Sequence, residues 1–281
     1  MFDSIFAALR AKKPLVHCIT NYVTVNDVAN VALACGASPI MADDIAEAAD
    51  ITAICDALAL NIGTLNGRTV QSMLAAGERA NQLGRPVVLD PVGAGASPLR
   101  TRTAAELIER LDLAVIRGNL SEIKAVAQGV GAAGGGSGAS RGVDAAAGDA
   151  VTPDNQAETA AFVKDLARRT GAVIAATGAV DLVADGETCY AIENGCADMS
   201  RVTGTGCMLT AVIAACVAAH PGRTLEAAAA AVAAMGLCGE LARDKVASRG
   251  EGAGSLRVYL IDAMSNLTDE RLARGVKCHA L

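Results

Sequence analysis

The sequence predicts an α/β fold in which a mostly parallel central sheet carries helices on both faces. Short aliphatic runs of strand length alternate with longer Ala/Leu-rich segments along most of the chain, the pattern of repeated strand–helix–strand units. Hydrophobic residues make up 52% of the 281 positions, yet there are only three Phe, three Tyr and no Trp. Ala, Val, Leu and Ile must therefore fill the core, which suits helices laid closely on a sheet buried from both sides. Glycine-containing polar turns also follow the apolar runs one after another, and in open parallel sheets ligands bind outside the carboxyl ends of the strands.

In chain order, aliphatic or β-branched runs predict strands at Leu15–Ile19, Ser38–Met41, Ala57–Asn61, Val87–Asp90, Ala114–Arg117, Val173–Thr177, Leu182–Ala184 and Thr188–Ile192. The intervening segments predict helices over 26–35, 44–54, 68–83, 101–110, 120–127, 155–170, 206–219, 225–243 and 253–266. The last strand pair flanks Asp185-Gly186, a hairpin signal, so one edge of the sheet should be antiparallel. Helices should follow it without further strands. Residues 129–140 are rich in Gly, Ala and Ser and read as a flexible loop, not a linker, because strand–helix units continue beyond them. A single domain spanning 1–281 is expected.

Composition excludes several classes. The net charge is −6 with no basic cluster, which argues against nucleic acid as a partner. The nine cysteines are an odd number without a C-x-x-C pair, so neither a disulfide framework nor a zinc site is indicated. The N-terminus lacks the apolar stretch of a signal peptide. The longest uncharged span, Val202–Gly222, contains its own glycine turn and reads as a buried helix, so no membrane association is expected. A cytoplasmic location is the default.

Val202-Thr-Gly-Thr-Gly-Cys-Met-Leu-Thr210 carries the most chemistry. A glycine-rich turn running into a helix aims unpaired N–H groups and the positive end of the dipole at one point, an anion site. Gly204 and Gly206 permit close backbone approach, and Cys207 is the reactive side chain there. At the other strand ends lie Asp90-Pro-Val-Gly-Ala-Gly95, Arg117-Gly-Asn-Leu-Ser-Glu122 and Thr177-Gly178. Two carboxylates, an arginine and a helix N-terminus are the parts that hold Mg²⁺ and transfer a phosphoryl group. Each has a plainer reading: Asp90 as a turn former, Asn119 or Ser121 as a helix cap with Glu122 in the first turn, Cys207 as packing. Their recurrence at successive strand ends favours the functional one. No P-loop, dinucleotide fingerprint or H-E-x-x-H is present. A Cys207–His17 pair lacks an evident orienting group.

The chain also resembles the hydroxyethylthiazole kinase family of ribokinase-like enzymes. The resemblance runs through Val16-His-Cys-Ile-Thr-Asn21 with Asn26 and Asn30, Gly36-Ala-Ser-Pro-Ile-Met41, Leu60-Asn-Ile-Gly-Thr64 and Leu89-Asp-Pro-Val-Gly-Ala-Gly95. It continues through Ile116-Arg-Gly-Asn119, Ser121-Glu122, Arg141-Gly-Val-Asp144, Thr177-Gly178, Val180-Asp181, Val202-Thr-Gly-Thr-Gly-Cys207 and Gly252-x-Gly254-Ser255. It implies a three-layer α/β/α fold and ATP- and Mg²⁺-dependent phosphorylation of the primary alcohol of 4-methyl-5-(2-hydroxyethyl)thiazole in thiamine biosynthesis or salvage. It implies that Met41, Asn21 and Gly204 meet the small heteroaromatic alcohol, and that Arg117 and Thr177 meet ATP. Asp90 and Glu122 would organise the metal, with the catalytic turn at Gly204, Gly206 and Cys207. It further implies a homotrimer with active sites between subunits.

Where many ribokinase-like enzymes place an aspartate base, this chain has Cys207. The helix N-terminus is expected to lower its thiol pKa. The turn is then chiefly an anion hole, with Cys207 assisting proton removal or placing the alcohol. The competing readings are a kinase for another alcohol, a non-catalytic nucleotide-binding protein and a cysteine-nucleophile transferase.

Overall fold

The computed structural model describes residues 2–131, 151–152 and 154–281. Most of the expected 129–140 loop and the Arg141–Asp144 segment lie outside the described residues. The elements in order are α1 (Ile5–Lys12), β1 (Leu15–Ile19), α2 (Val25–Cys35), β2 (Ser38–Ile40), α3 (Ala48–Ile54), β3 (Ala57–Asn61), α4 (Gly67–Gln82) and β4 (Val87–Asp90). They continue with α5 (Pro98–Arg110), β5 (Val115–Asn119), α6 (Leu120–Gly129), α7 (Gln156–Thr170), β6 (Val173–Thr177), β7 (Asp181–Ala184) and β8 (Cys189–Ile192). A short 3₁₀ turn (Ala197–Arg201), α8 (Thr205–Ala219), α9 (Thr224–Arg249), α10 (Ala253–Ser265), α11 (Asp269–Gly275) and β9 (Cys278–Ala280) complete the order.

The described strands form one sheet in the order β2-β1-β3-β4-β5-β6-β7-β8-β9. Pairing is parallel from β2 to β6 and antiparallel from β6 to β9. Two cores lie on its two faces. Alternate strand residues point to opposite sides: Ala57 and Ala59 of β3 join one core, Leu58 and Leu60 the other. The same split separates Val88 from Leu89 and Val115 from Ile116. The first core is roofed by α1, α2, α8, α9 and α10, and the second by α4, α5, α6 and α7. Small residues make the first roof possible: Ala227 to Ala231 of α9 are all fully buried. The result is the expected three-layer α/β/α arrangement.

Chain direction reverses at β1. It passes outward to β2 through α2 and returns to β3 through α3, on the opposite face. The crevice between the ends of β1 and β3 is therefore a topological switch point, where open α/β sheets bind ligands.

The antiparallel edge forms as the Asp185-Gly186 signal predicts: Asp185 Oδ1 accepts from the N–H groups of Glu187 at 2.8 Å and Thr188 at 2.7 Å, closing the β7–β8 turn. The expectation of no further strand after the late helices is overturned. Cys278–Ala280 pairs antiparallel with β8 as a ninth, edge strand. Helix α9 is long and apolar enough to cross a membrane, but 83% of its apolar window is buried within the protein, whereas the uncharged span 202–222 yields the shorter α8.

Candidate active site

Strand periodicity gathers the site. Asn61, Asp90, Arg117 and Thr177 each lie an even number of residues after a side chain of the first core. All four therefore face α8, Asn61, Asp90 and Thr177 as the last residues of their strands and Arg117 two residues before the end of β5. Register sets Asn61 opposite Asp90 and Arg117 opposite Ala175, so that Thr177 lies one step further along, opposite Asn119. Helix α8 then brings its N-terminus over this row. Gly204 caps it with φ +88° and no side-chain cap, leaving the first-turn N–H groups for a ligand. A side chain at Gly204 would also collide with Thr24, and one at Gly206 would enter the Arg117 guanidinium, with Nη2 at 2.6 Å. The two glycines are thus required, one by conformation and contact and the other by close approach.

Asp90 is fully buried. Its Oδ2 accepts from Asn61 Nδ2 at 2.7 Å and Thr210 Oγ1 at 2.9 Å, with Arg117 Nη1 farther away at 3.5 Å. Its Oδ1 has no partner among the described residues, and neither has Arg117 Nε. Arg117 Nη2 donates to Thr177 Oγ1 at 2.9 Å, and that hydroxyl donates to Gly118 O at 3.2 Å.

Glu122 takes the capping reading of its position. Asn119 is the helix cap, with a reciprocal capping box to Glu122. Glu122 Oε1 accepts from Gly93 N at 2.7 Å and Oε2 from Asn119 N at 2.8 Å. The carboxylate therefore ties the loop after β4 to the start of α6, with a further lone pair on each oxygen.

The site's electrostatics are those of carboxylates short of cations. Burial, assisted by the neighbouring Asp90 charge, pushes Glu122 up to about 7 against its two backbone N–H bonds and Arg117. Burial also pushes Asp181 up to about 7, against the N–H of Gly178, which donates to it at 2.8 Å. Asp90 is raised by burial, opposed by Arg117, Thr210 and Asn61. A divalent cation fits this setting: a buried carboxylate oxygen is unengaged, and Mg²⁺ asks for only one or two carboxylates beside phosphate oxygens and water. No cluster of three or more His, Cys, Asp or Glu residues able to hold a metal occurs among the described residues, so the protein offers only part of a coordination shell.

Cys207 lies half-buried at the start of α8, its Sγ accepting from Asn21 Nδ2 at 3.2 Å. Burial and the Asp90 charge raise its pKa, outweighing the Thr24 hydroxyl, the Arg117 charge and the Asn21 amide, which lower it. The expected lowering at the helix N-terminus is thus reversed. The possible Cys207–His17 pair is overturned as well. Both His17 ring nitrogens are taken, by Thr52 Oγ1 at 2.8 Å and Ala42 O at 2.7 Å.

A cleft of about 200 Å³ opens at the switch point, lined among others by Thr20, Met41, Asn61 and Thr69. It is below the roughly 300–1,000 Å³ of pockets for drug-sized ligands. Met41 sits in its wall. Asn21 sits behind it, donating to Asn61 Oδ1 at 3.0 Å and to Cys207. The structure thus brings all the predicted site residues to one end of the sheet. It adds Asn61, Thr210 and Arg100, whose guanidinium donates to Val92 O at 2.8 Å and Gly63 O at 2.5 Å and so ties the loops after β4 and β3. Asn61 could have been found as the polar end of an aliphatic strand. Thr210 lies three residues beyond Cys207 on an apolar helix, and nothing in that pattern distinguishes it.

The hydroxyethylthiazole kinase family profile matches residues 6–270. A hydroxyethylthiazole kinase from Clostridium acetobutylicum is 52% identical over 264 residues, covering 94% of this chain and 94% of the relative. The chain belongs to the hydroxyethylthiazole kinase family. The solved structure of a hydroxyethylthiazole kinase protein from Pyrococcus horikoshii superposes with a TM-score of 0.86 at 35% identity, covering 100% of this chain and 98% of that one. A ribokinase-like superfamily protein from Enterococcus faecalis, 12% identical, shares the fold with a TM-score of 0.56 over 94% of this chain and 90% of its own. Family membership makes the chain a kinase, and the carboxylates, arginine and helix N-terminus at its strand ends accord with that activity.

Proposed function

We propose that the chain phosphorylates the primary alcohol of 4-methyl-5-(2-hydroxyethyl)thiazole, using ATP and Mg²⁺, and so serves thiamine biosynthesis or salvage. The supporting observation is the adjacency of a small switch-point cleft to a row of phosphoryl-handling groups. The alcohol oxygen forms a bond to the γ-phosphorus, the bond from that phosphorus to the β–γ bridging oxygen breaks and leaves ADP, and the alcohol proton passes to a phosphate oxygen or to solvent water. When bound, Mg²⁺ would neutralise phosphate oxygens and hold them in line. Asp90 Oδ1 is the carboxylate oxygen open to it, and Glu122 is the second carboxylate.

The N–H groups that begin α8, with Gly204 at their head, accept the charge that develops on the transferring group. Arg117 and Thr177 orient the nucleotide phosphates, and Gly206 allows the Arg117 guanidinium to lie against the turn. Met41 packs on the heteroaromatic ring, and Asn21 holds the Cys207 thiol beside the alcohol. With its pKa raised, Cys207 positions the alcohol and is not a strong base.

A homotrimer with shared sites agrees with the apolar side chains Tyr22, Val23, Ile45 and Leu99, all exposed. Tyr22 itself lines the cleft. Nine free thiols suit a reducing cytoplasm, and an acidic chain with no basic cluster gives nucleic acid no footing.

The test is ADP release from Mg-ATP with hydroxyethylthiazole, a hydroxymethylpyrimidine or a sugar. Release dependent on the thiazole alone is expected. Release only with another alcohol would replace the substrate, and none with any alcohol despite ATP binding would favour a regulatory role.

A further inference from the structure

Asn61 stands where the two halves of the site meet, and it carries more of the geometry than its position in the sequence suggests. Its side chain is almost fully buried and forms part of the cleft wall. Its amide cannot be turned over: Oδ1 accepts from Gly63 N at 2.9 Å and from Asn21 Nδ2 at 3.0 Å, so Nδ2 must point the other way. There Nδ2 donates to Asp90 Oδ2 at 2.7 Å. Asn21 in turn donates to Cys207 Sγ. One continuous set of hydrogen bonds therefore runs from the thiol beside the alcohol, through two amides, to the buried carboxylate.

We propose that Asn61 is a positioning residue for phosphoryl transfer, fixing which oxygen of Asp90 is engaged and which is presented to the metal–nucleotide side. The inference rests on the kinase reading above. Without the amide, Asp90 Oδ2 keeps one near donor, Thr210 at 2.9 Å, and one distant donor, Arg117 at 3.5 Å. A carboxylate held by one near donor is free to rotate, and the oxygen that now lacks a partner, Oδ1, is no longer set in one direction. Partners that orient a metal-facing group commonly contribute 10–100-fold, in order of magnitude, to metal affinity or activity. Asn61 thus acts through Asp90. Thr210, holding the same oxygen from α8, acts in the same sense.

The experiment compares wild type with Asn61→Ala, Asn61→Leu and Thr210→Val. Leucine keeps the forked shape and heavy-atom count of asparagine without its donor, at a larger volume. Thermal melts come first. Mn²⁺ affinity is then measured by electron paramagnetic resonance in the presence of a non-hydrolysable ATP analogue, and kinetics follow with alcohol and ATP varied separately. Mn²⁺ affinity and kcat are expected to fall together, about 10–100-fold, in both Asn61 variants, with KM for ATP nearly unchanged and Thr210→Val showing a smaller loss. A rise in alcohol KM alone, with Mn²⁺ affinity and kcat intact, would reduce Asn61 to cleft wall and overturn the proposal. So would Asn61→Leu behaving like wild type. If Asn61→Ala melts below the assay temperature, Asn61→Leu and Thr210→Val decide. If wild type phosphorylates no alcohol, the kinase reading fails, yet the Mn²⁺ comparison still reports on Asn61.

Discussion

Gly206 and Cys207 are neighbours with opposite demands on their side chains. At Gly206 no side chain fits, because the Arg117 guanidinium occupies the space. Gly206→Ala should displace that guanidinium and lower kcat by about 100-fold, the order of loss that a misplacement of about 1 Å can cause, while the melting temperature changes little. An unchanged kcat would show that Arg117 need not lie against the turn. Cys207 has room for a reactive group but a poor environment for one, since burial and Asp90 oppose its ionisation. General bases contribute about 10²–10⁴-fold. Cys207→Ser should therefore retain kcat to within about tenfold and leave the pH profile in place; a loss of a thousandfold would restore the thiol as base. The sequence made these residues legible because glycine spacing before an apolar helix has few other uses. It showed Asn61 only as the polar end of an aliphatic strand and hid Thr210, which meets the same oxygen of Asp90 from the helix. Such a contact leaves no local pattern.

Among the elements, the joint between β4 and α6 has the clearest pH behaviour. Glu122 binds the N–H groups of Gly93 and Asn119, yet burial lifts its pKa from the ordinary 4.5 to about 7. The folded protein thus holds a proton that the unfolded chain has released, across the interval between those two values. The associated stability is fully present below the lower value and is lost as pH rises through the upper one. Asp181, also pushed up to about 7, acts in the same direction. Melting of the metal-free protein should therefore fall in temperature between pH 5 and pH 8. Glu122→Gln should show a shallower fall, starting from a lower temperature at pH 5 because an amide cannot accept both N–H bonds. An equally steep fall in the variant would assign the effect elsewhere. The sheet itself was readable because each buried parallel strand is a compact aliphatic run. Helix α1 and strand β9 were not. The helix is eight residues long without a side-chain cap, and Cys278-His-Ala280 is short, largely exposed and held by pairing to β8. Their order comes from tertiary contacts: the side chain of Asp269, which opens α11, accepts the N–H of Phe6 at 2.9 Å.

For the molecule as a whole, the unresolved physical demand is the surface around the cleft. Tyr22 is 79% exposed and Val23 58%, and Tyr22 also borders the adjoining hollow formed with Leu65, Leu99 and Arg100. Large apolar side chains concentrated beside a ligand cleft are characteristic of surfaces covered by another protein. Association of copies through this face would remove them from water and close the cleft at the same time, so assembly and catalysis should fail together. Val23→Asp tests this, because a carboxylate buried without a partner is strongly disfavoured. Gel filtration should give wild type at three chain masses and the variant at one. Its melt should stay cooperative, and its activity should fall steeply with a raised KM for the alcohol. A wild type that elutes as a monomer and is fully active would mean that one chain completes the cleft alone. A variant that dissociates but keeps its KM would leave the trimer a matter of stability, with no part in binding the alcohol.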